Sequence, residues 1–367
     1  MIREGVAWAL RGALRHVSRV PGTRRVMHAL SVASRGAGIA VLRCRRLVPD
    51  SQEGRGHPDY AKGSAMTPSE LRREIGAVEG TLRFVHLGEA LDALQRGVRL
   101  KDGLAVLTFD ESFAANVELM LPVAHELGVP FTVFVTTRHL EEQTTLWDEE
   151  VRAVVDAVAP EPLAVDWIDS VLPTGTAAAR QTAVHRLLLS LAALDEVQLE
   201  QRLQSLFTRI GGRPPPRPLD RMLARDELVR LRGDPLLSVG AHGHRHLALA
   251  SAHDEALQDE LVQPRALLRE VCGSSFVDVM SYPFGRAPYV DERVERAARA
   301  AGYRAAFTAV PGVARPGDHM FRLPRLPIGP RRSGVVAYEL AGSLAAVDEA
   351  LMAATGAQAR VASAPEG

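Results

Sequence analysis

Two adjacent carboxylates, Asp110 and Glu111, follow directly after the apolar run of residues 104–109. Such a run is typical of a buried parallel strand, and the ligands of open sheets and barrels bind at the carboxyl ends of these strands. Carboxylates at that position can accept a proton or coordinate a metal ion. Taken alone, the motif also allows a simpler interpretation, in which Asp110 caps the helix that follows.

A second group of polar residues, His242-Gly-His-Arg-His246, follows another strand-like run at residues 236–239. His242 and His246 are four residues apart, so in a helical turn both imidazoles would share one face and could bind one metal ion. His244 falls outside this pair, and a single histidine is more often structural. Two imidazoles and one carboxylate with an open fourth position form the pattern of a catalytic zinc site.

A third motif, Ser281-Tyr-Pro-Phe-Gly285, follows the apolar run of residues 276–280. The proline restricts this turn, and the backbone N–H groups of the turn could point at an oxyanion. Such turns are common in proteins, so the position after a third strand is what makes the motif informative.

The elements that must position these motifs alternate along the chain. Short apolar runs predict strands and the segments between them predict helices, which together indicate parallel βαβ units. The residues Thr67-Pro-Ser-Glu70 form a capping-box pattern and predict a helix start. We therefore expect a barrel or doubly wound sheet over residues 37–330, with a helical insertion at about 146–215.

The two ends of the chain have a different character. Residues 1–36 carry seven arginines against one acid, with apolar residues at helical spacing. This segment is either a basic amphipathic helix that contacts a membrane or a partner, or a solvated helix that packs on the main domain. Residues 331–367 predict a short helix and a flexible tail.

The composition argues against several classes of protein. Because 44 basic residues balance 44 acidic ones, no overall field attracts nucleic acid. The two cysteines, Cys44 and Cys272, are too few for a disulfide framework, and no apolar run has the length of a membrane span. Since no secretory signal is recognisable, we expect a cytoplasmic protein, with contact to the inner membrane face allowed by the basic start.

Taken together, the motifs resemble the polysaccharide deacetylase family, the nodulation-type deacetylases of carbohydrate esterase family four. The likeness runs from about Ile39 to Ile328. The segments that carry it are Thr108-Phe-Asp-Glu, Gly128-Val-Pro-Phe-Thr-Val-Phe-Val, Gly240-Ala-His-Gly-His-Arg-His, Tyr282-Pro-Phe-Gly, Ala301-Gly-Tyr-Arg-Ala-Ala-Phe and Phe321-Arg-Leu-Pro-Arg. The resemblance implies a distorted (β/α) barrel of about seven strands and metal-dependent removal of acetyl groups, chiefly N-acetyl, from an acetylated sugar or glycan.

The same resemblance implies a role for each candidate residue. Asp110 would be the general base, and Glu111, His242 and His246 would bind a divalent metal, with zinc the expected ion. The backbone N–H of Phe284 would stabilise the oxyanion.

The chain departs from the family pattern at several places. The family usually has Asp-Asp-Gly where this chain has Asp110-Glu111-Ser112, and an arginine where this chain has Ser281. A late Leu-x-His motif for the general acid is missing; His319 lies near the right region, although a loop position without that role is the simpler interpretation. Arg322 and Arg325 could pair with Asp110, contact an anionic sugar or form outer salt bridges.

Three hypotheses follow. The first is a metal-dependent sugar deacetylase of polysaccharide, lipopolysaccharide or glycolipid metabolism; an aromatic content of 5% argues against a long stacking groove and favours a small or lipid-linked glycan. The second is a catalytically inactive glycan-binding or scaffold protein on the same barrel, and the third is hydrolysis of a non-sugar amide.

Overall fold

The computed structural model describes residues 38–97, 100, 102–142, 144–330 and 338. The amphipathic segment predicted for residues 1–36, and all of the tail predicted for residues 331–367 except Tyr338, lie outside the described residues. Within the described part of the chain, no helix is long and apolar enough to cross a membrane.

A parallel sheet curled into a half-barrel forms the centre of the protein, as expected for a distorted (β/α) barrel. The strands of this sheet are β1 (Ile39–Cys44), β4 (Arg83–Phe84), β5 (Leu104–Phe109), β6 (Phe131–Val135), β7 (Leu237–Ala241), β8 (Phe276–Ser281), β9 (Ala305–Phe307) and β10 (Leu326–Pro327). Seven of them follow one another in the order β10-β1-β5-β6-β7-β8-β9, and the short β4 also pairs with β5. Two further short strands, β2 (Arg46–Leu47) and β3 (Ala65–Met66), pair with each other.

The helices lie between the strands. They are α1 (Gln52–Gly56), α2 (Pro58–Ala61), α3 (Pro68–Glu79), α4 (Leu87–Gln95), α5 (Ala114–Leu127), α6 (His139–Glu142), α7 (Trp147–Val158), α8 (Ala177–Leu191), α9 (Glu196–Thr208), α10 (Arg225–Leu231), α11 (Asp254–Cys272) and α12 (Glu292–Ala300). The capping box predicted at the start of α3 is confirmed, because Thr67 and Glu70 cap each other's backbone N–H groups. The region predicted as a helical insertion contains α7, α8 and α9.

Both faces of the sheet are buried, which explains the unbroken apolar runs of its strands. Alternate residues of β1 enter different apolar clusters: Ala40 and Leu42 join the large cluster with the surrounding helices, and Ile39 and Val41 join a smaller one with α4. β5 and β6 are buried along their whole length. The central strands therefore hold their carboxyl ends in fixed relative positions.

Candidate functional site

The predicted site residues meet at the carboxyl ends of three strands. Asp110 and Glu111 follow β5, His242 follows β7, and Phe284 lies three residues beyond the end of β8. These four residues and His246 line one cavity of about 690 Å³. The tertiary structure thus brings together all five residues that the sequence singled out.

Asp110 is held by a buried arginine. Its two carboxylate oxygens accept hydrogen bonds from Nη1 and Nη2 of Arg325, both at 2.7 Å, and Arg43 lies 3.5 Å away. Burial by itself would raise the pKa of Asp110, but the charge of Arg325 and its hydrogen bonds lower it below its ordinary value. Asp110 does not cap α5, whose N-cap residue is Phe113, so the capping interpretation is wrong.

Ser281 takes part in the same arrangement. Its hydroxyl accepts a hydrogen bond from Nη2 of Arg325 at 2.8 Å. The sequence comparison indicated that Ser281 removes a partner of the base, because the family usually has arginine there. In this protein Arg325 supplies a guanidinium to Asp110 from another segment of the chain, which answers the question that the sequence left open for Arg325.

The two histidines come together through a loop. The sequence suggested a helical turn, but residues 242–246 are not helical, and Gly243 and His246 both have positive φ angles, of 77° and 62°. The premise of a helical turn is therefore wrong, but the two rings do lie close together, with centroids 5.1 Å apart. Their binding of one metal ion stays a prediction.

Each imidazole also has a partner on its Nδ1 atom. Nδ1 of His242 lies 2.7 Å from the carbonyl oxygen of Ser281, and Nδ1 of His246 lies 3.5 Å from Asp148. Burial lowers the pKa of His242 to about 3, so its ring is neutral near pH 7. Burial also opposes the charged form of His246, but Asp148 overcomes this effect and raises the pKa of His246.

Glu111 lies beside a cation. Nε of Arg45 is 3.4 Å from Oε2 of Glu111, and the same guanidinium contacts Glu149 at 3.0 Å and Asp148 at 3.7 Å. Arg45 directly follows β1. The carboxylates of Glu111 and Asp148 are thus already partly neutralised by a side chain of the protein.

The donor set fits a divalent metal in its chemistry and in part in its orientation. Because Nδ1 of His242 contacts a backbone carbonyl, its Nε2 is left for a ligand, and a carboxylate behind His246 is the usual support of a metal-bound histidine. Nδ1 of His246 and Oδ1 of Asp148 are both buried and face each other at 3.5 Å, a contact too long for a well-formed hydrogen bond, and neither atom has another partner among the described residues. Nevertheless, no three His, Cys, Asp or Glu side chains of the described residues are close enough together to hold a metal ion.

Backbone conformation marks the same residues. Among the described residues, the non-glycine residues with positive φ are Glu111 (59°), His246 (62°) and Phe284 (59°). This left-handed region costs a non-glycine residue free energy, and such residues cluster at functional sites. Within the described part of the chain, no acceptor lies within hydrogen-bond distance of the Phe284 backbone N–H.

Ser112, which replaces the family's glycine, stabilises the loop after β5. Its hydroxyl accepts a hydrogen bond from the backbone N–H of Thr136 at 2.9 Å and lies 3.0 Å from Nε2 of His139. The serine therefore ties the loop that carries Asp110 and Glu111 to the end of β6.

Two candidates from the sequence, His319 and Arg322, lie outside the cavity. His319 does not line the cavity, and its Nδ1 lies 3.8 Å from Glu295. Arg322 also pairs with Glu295 and forms an outer salt bridge.

Sequence reasoning missed Asp148, which supports His246, and His185, which reaches the cavity from α8. The acidic run Asp148-Glu149-Glu150 at the start of α7 was a weak signal for Asp148, because these carboxylates are all buried. The sequence around His185 gave no comparable signal.

A family model and several solved structures resemble this chain. Residues 194–306 match the family model described as polysaccharide deacetylase, a range that contains His242, His246 and Phe284 but not Asp110 or Glu111. A comparison with curated proteins gives no match.

Several solved structures share the fold. The deacetylase PplD of Streptococcus pyogenes, solved in complex with acetate, is 14% identical, with 83% of this chain and 98% of that chain covered and a TM-score of 0.54. IcaB from Ammonifex degensii is 17% identical, with 84% and 99% covered and a TM-score of 0.52. A polysaccharide deacetylase from Bacillus cereus is 14% identical, with 84% and 69% covered and a TM-score of 0.50. The resemblance expected from the motifs is therefore confirmed: residues 194–306 match the polysaccharide deacetylase family model, and the fold is shared with solved deacetylases.

Proposed function

We propose that this protein is a metal-dependent hydrolase that removes an acetyl group, in the first place an N-acetyl group, from a sugar. One observation carries the proposal: the non-glycine residues with left-handed backbone among the described residues are Glu111, His246 and Phe284, and they line one cavity with Asp110. Strained backbone persists only where the surrounding structure maintains it, and active sites are where such residues cluster.

Asp110 is the proton acceptor in this proposal. Because its pKa lies below the ordinary range, it is ionised at neutral pH. Arg325 donates one hydrogen bond to each oxygen of Asp110. Because a carboxylate can accept about four hydrogen bonds, Asp110 can still accept one from the attacking water. Arg325 fixes the orientation of that carboxylate.

The backbone N–H of Phe284 is the proposed donor to the oxyanion. A turn built from Pro283, Phe284 and Gly285 fixes its position, because Gly285 N–H bonds the carbonyl of Pro283 at 2.7 Å and Ala309 N–H bonds the carbonyl of Gly285 at 2.6 Å. A donor that is already oriented stabilises developing negative charge without reorganisation.

Glu111, His242 and His246 would hold the metal, with zinc the expected ion. Such an ion lowers the pKa of bound water and polarises a carbonyl oxygen. Arg45 contacts one oxygen of Glu111, Oε2 at 3.4 Å, and the carboxylate has a second oxygen, Oε1, to offer the ion.

Release of the amine requires a proton donor, and His185 is the candidate in this protein. Besides the two proposed ligands, it is the imidazole that lines the cavity. It replaces the late histidine motif that the sequence lacks. Glutamine at His185 should lower acetate release without changing the metal content.

Acetate release from an N-acetylated oligosaccharide, measured together with the zinc content of the purified protein, tests the proposal. We expect zinc in the wild type, its loss in Glu111→Ala and His242→Ala, and retained zinc but no acetate release in Asp110→Asn. His319→Ala is the matched control, because it removes a partly exposed histidine that does not line the cavity. Metal-free wild-type protein, or an Asp110→Asn variant with full activity, would contradict the proposal.

A second candidate function is an inactive glycan-binding protein on the same barrel. It is favoured by the contact of Arg45 with Glu111 and by the lack of three converged metal-binding side chains among the described residues. Glycan binding without acetate release, equal in the wild type and Asp110→Asn, would support this alternative.

A further inference from the structure

The cavity around Asp110 is lined by more cations than carboxylates. Five cationic side chains line it, against the carboxylates of Asp110, Glu111 and Asp148; the cations are Arg43, Arg45, Lys62, Arg152 and Arg286. They come from the end of β1, the residue after α2, helix α7 and the turn after β8. Cations from four separate segments do not arise from a single charged run on one solvated surface.

The three carboxylates already have partners. Arg325, which is not among the lining residues, binds Asp110 in bidentate fashion. Arg45 lies beside both Glu111 and Asp148. Arg43 lies 3.5 Å from Asp110. The other three cations, Lys62, Arg152 and Arg286, are in excess of the carboxylates that line the cavity, and a divalent metal would add to this excess.

Lys62 and Arg286 have no ion-pair partner within the described part of the chain. Arg152 lies 3.6 Å from Glu149, but its Nε is buried without a hydrogen-bond partner. The pKa of Lys62 is lowered by burial and by the charge of Arg152, and the carboxylates of Asp59 and Glu149 oppose this shift without reversing it. Lys62 and Arg152 therefore lie near each other. Among the described residues, Lys62 and Arg286 lack a close counter-charge and Arg152 has only its long contact with Glu149, so an anion bound beside these cations would be stabilised.

We propose that this cavity binds its acetylated sugar through a phosphate group, contacted by Lys62, Arg152 and Arg286; this inference rests on the proposed sugar-binding function of the site. Phosphate suits the arrangement because its oxygens accept hydrogen bonds from several directions, and both lysine and arginine bind it well. A neutral glycan would leave these cations without a counter-charge.

The phosphate could belong to a soluble sugar phosphate or to a lipid-linked sugar. Leu188 and Leu189 of α8 also line the cavity, and Leu189 is 50% exposed. An alkyl chain on the phosphate could cover these side chains. The shared feature of both sources is the phosphate.

Calorimetric titration with N-acetylglucosamine and with its anomeric phosphate tests the proposal in the full chain. We expect the phosphate to bind more tightly, and Lys62→Gln and Arg286→Gln each to weaken its binding about tenfold without affecting the neutral sugar. Arg73→Gln is the control, because Arg73 is exposed and does not line the cavity. Equal affinities for the two sugars, or equal losses in all three variants, would overturn the inference.

A dodecyl ester of the same sugar phosphate identifies the source. Tighter binding of the ester indicates a lipid-linked substrate and equal binding a soluble one, and both results support the phosphate contact. Acetate release is measured separately. Phosphate binding that depends on Lys62 without any acetate release would refute the deacetylase function and leave this inference standing. Acetate release with no effect of Lys62→Gln or Arg286→Gln on phosphate binding would refute this inference and leave the deacetylase function standing.

Discussion

Replacement of Arg325 by methionine should destabilise the protein strongly, because it leaves the carboxylate of Asp110 buried without its main partner. The side chains of Arg325 and Asp110 are only 1% and 4% exposed, and two hydrogen bonds of 2.7 Å join them. Removing one partner of a buried ion pair costs about 3–5 kcal/mol. Since a domain is stable by only about 5–15 kcal/mol, this loss is a large part of the total.

The pairing itself is tested by a double-mutant cycle. Urea unfolding is measured for the wild type, Arg325→Met, Asp110→Asn and the double variant. We expect the double variant to be more stable, by about 2 kcal/mol, than the sum of the two single losses predicts. Arg325→Met leaves the charge of Asp110 buried without a partner, and Asp110→Asn removes that charge.

An exposed pair serves as the control for this cycle. Arg202 and Asp166 are joined at 3.0 Å, with side chains 38% and 76% exposed, and the same two substitutions there should be additive. If the losses at Arg325 and Asp110 are also additive to within about 0.5 kcal/mol, the argument that Arg325 holds Asp110 is refuted.

Three further predictions concern residues around the site. Burial raises the pKa of Glu150 to about 7, so ionisation of Glu150 destabilises the folded state as the pH rises. The free energy of unfolding should therefore fall between about pH 5 and pH 8, and this fall should be smaller in Glu150→Gln than in the wild type, by up to about 3 kcal/mol. Arg46 is fully buried between Asp59 and Asp220, so Arg46→Met should lower the free energy of unfolding in urea by about 3–5 kcal/mol. Arg46→Lys should also be destabilised, because lysine lacks the planar guanidinium that contacts both carboxylates. Gly285→Ala should cost about 2 kcal/mol or more in urea unfolding, since φ is +62° and the added methyl would lie 2.6 Å from a backbone nitrogen; an unchanged unfolding midpoint would contradict each of the last two.

The sequence by itself indicated the strands β5, β7 and β8 and the residues at their ends, but not the two-residue strand β10 that pairs with β1. Apolar runs such as β5 are a local consequence of burial on both faces, and a polar residue directly after such a run must lie at the edge of the sheet. For the same reason Asp110, Glu111 and His242 could be selected before their contacts were known. Phe284 was selected from its turn after β8 and from the resemblance to the deacetylase family. The capping box at Thr67 is likewise local, since its two residues are three positions apart.

Only the tertiary structure decided what surrounds these residues. Arg325 and Asp110 are 215 residues apart, and neither local propensity nor spacing indicates which of several arginines reaches a given carboxylate. Asp148 reaches His246 from the inserted helix α7 in the same way. The loop that brings His242 and His246 together depends on a left-handed His246, a conformation that the surrounding structure imposes and that the residue type disfavours.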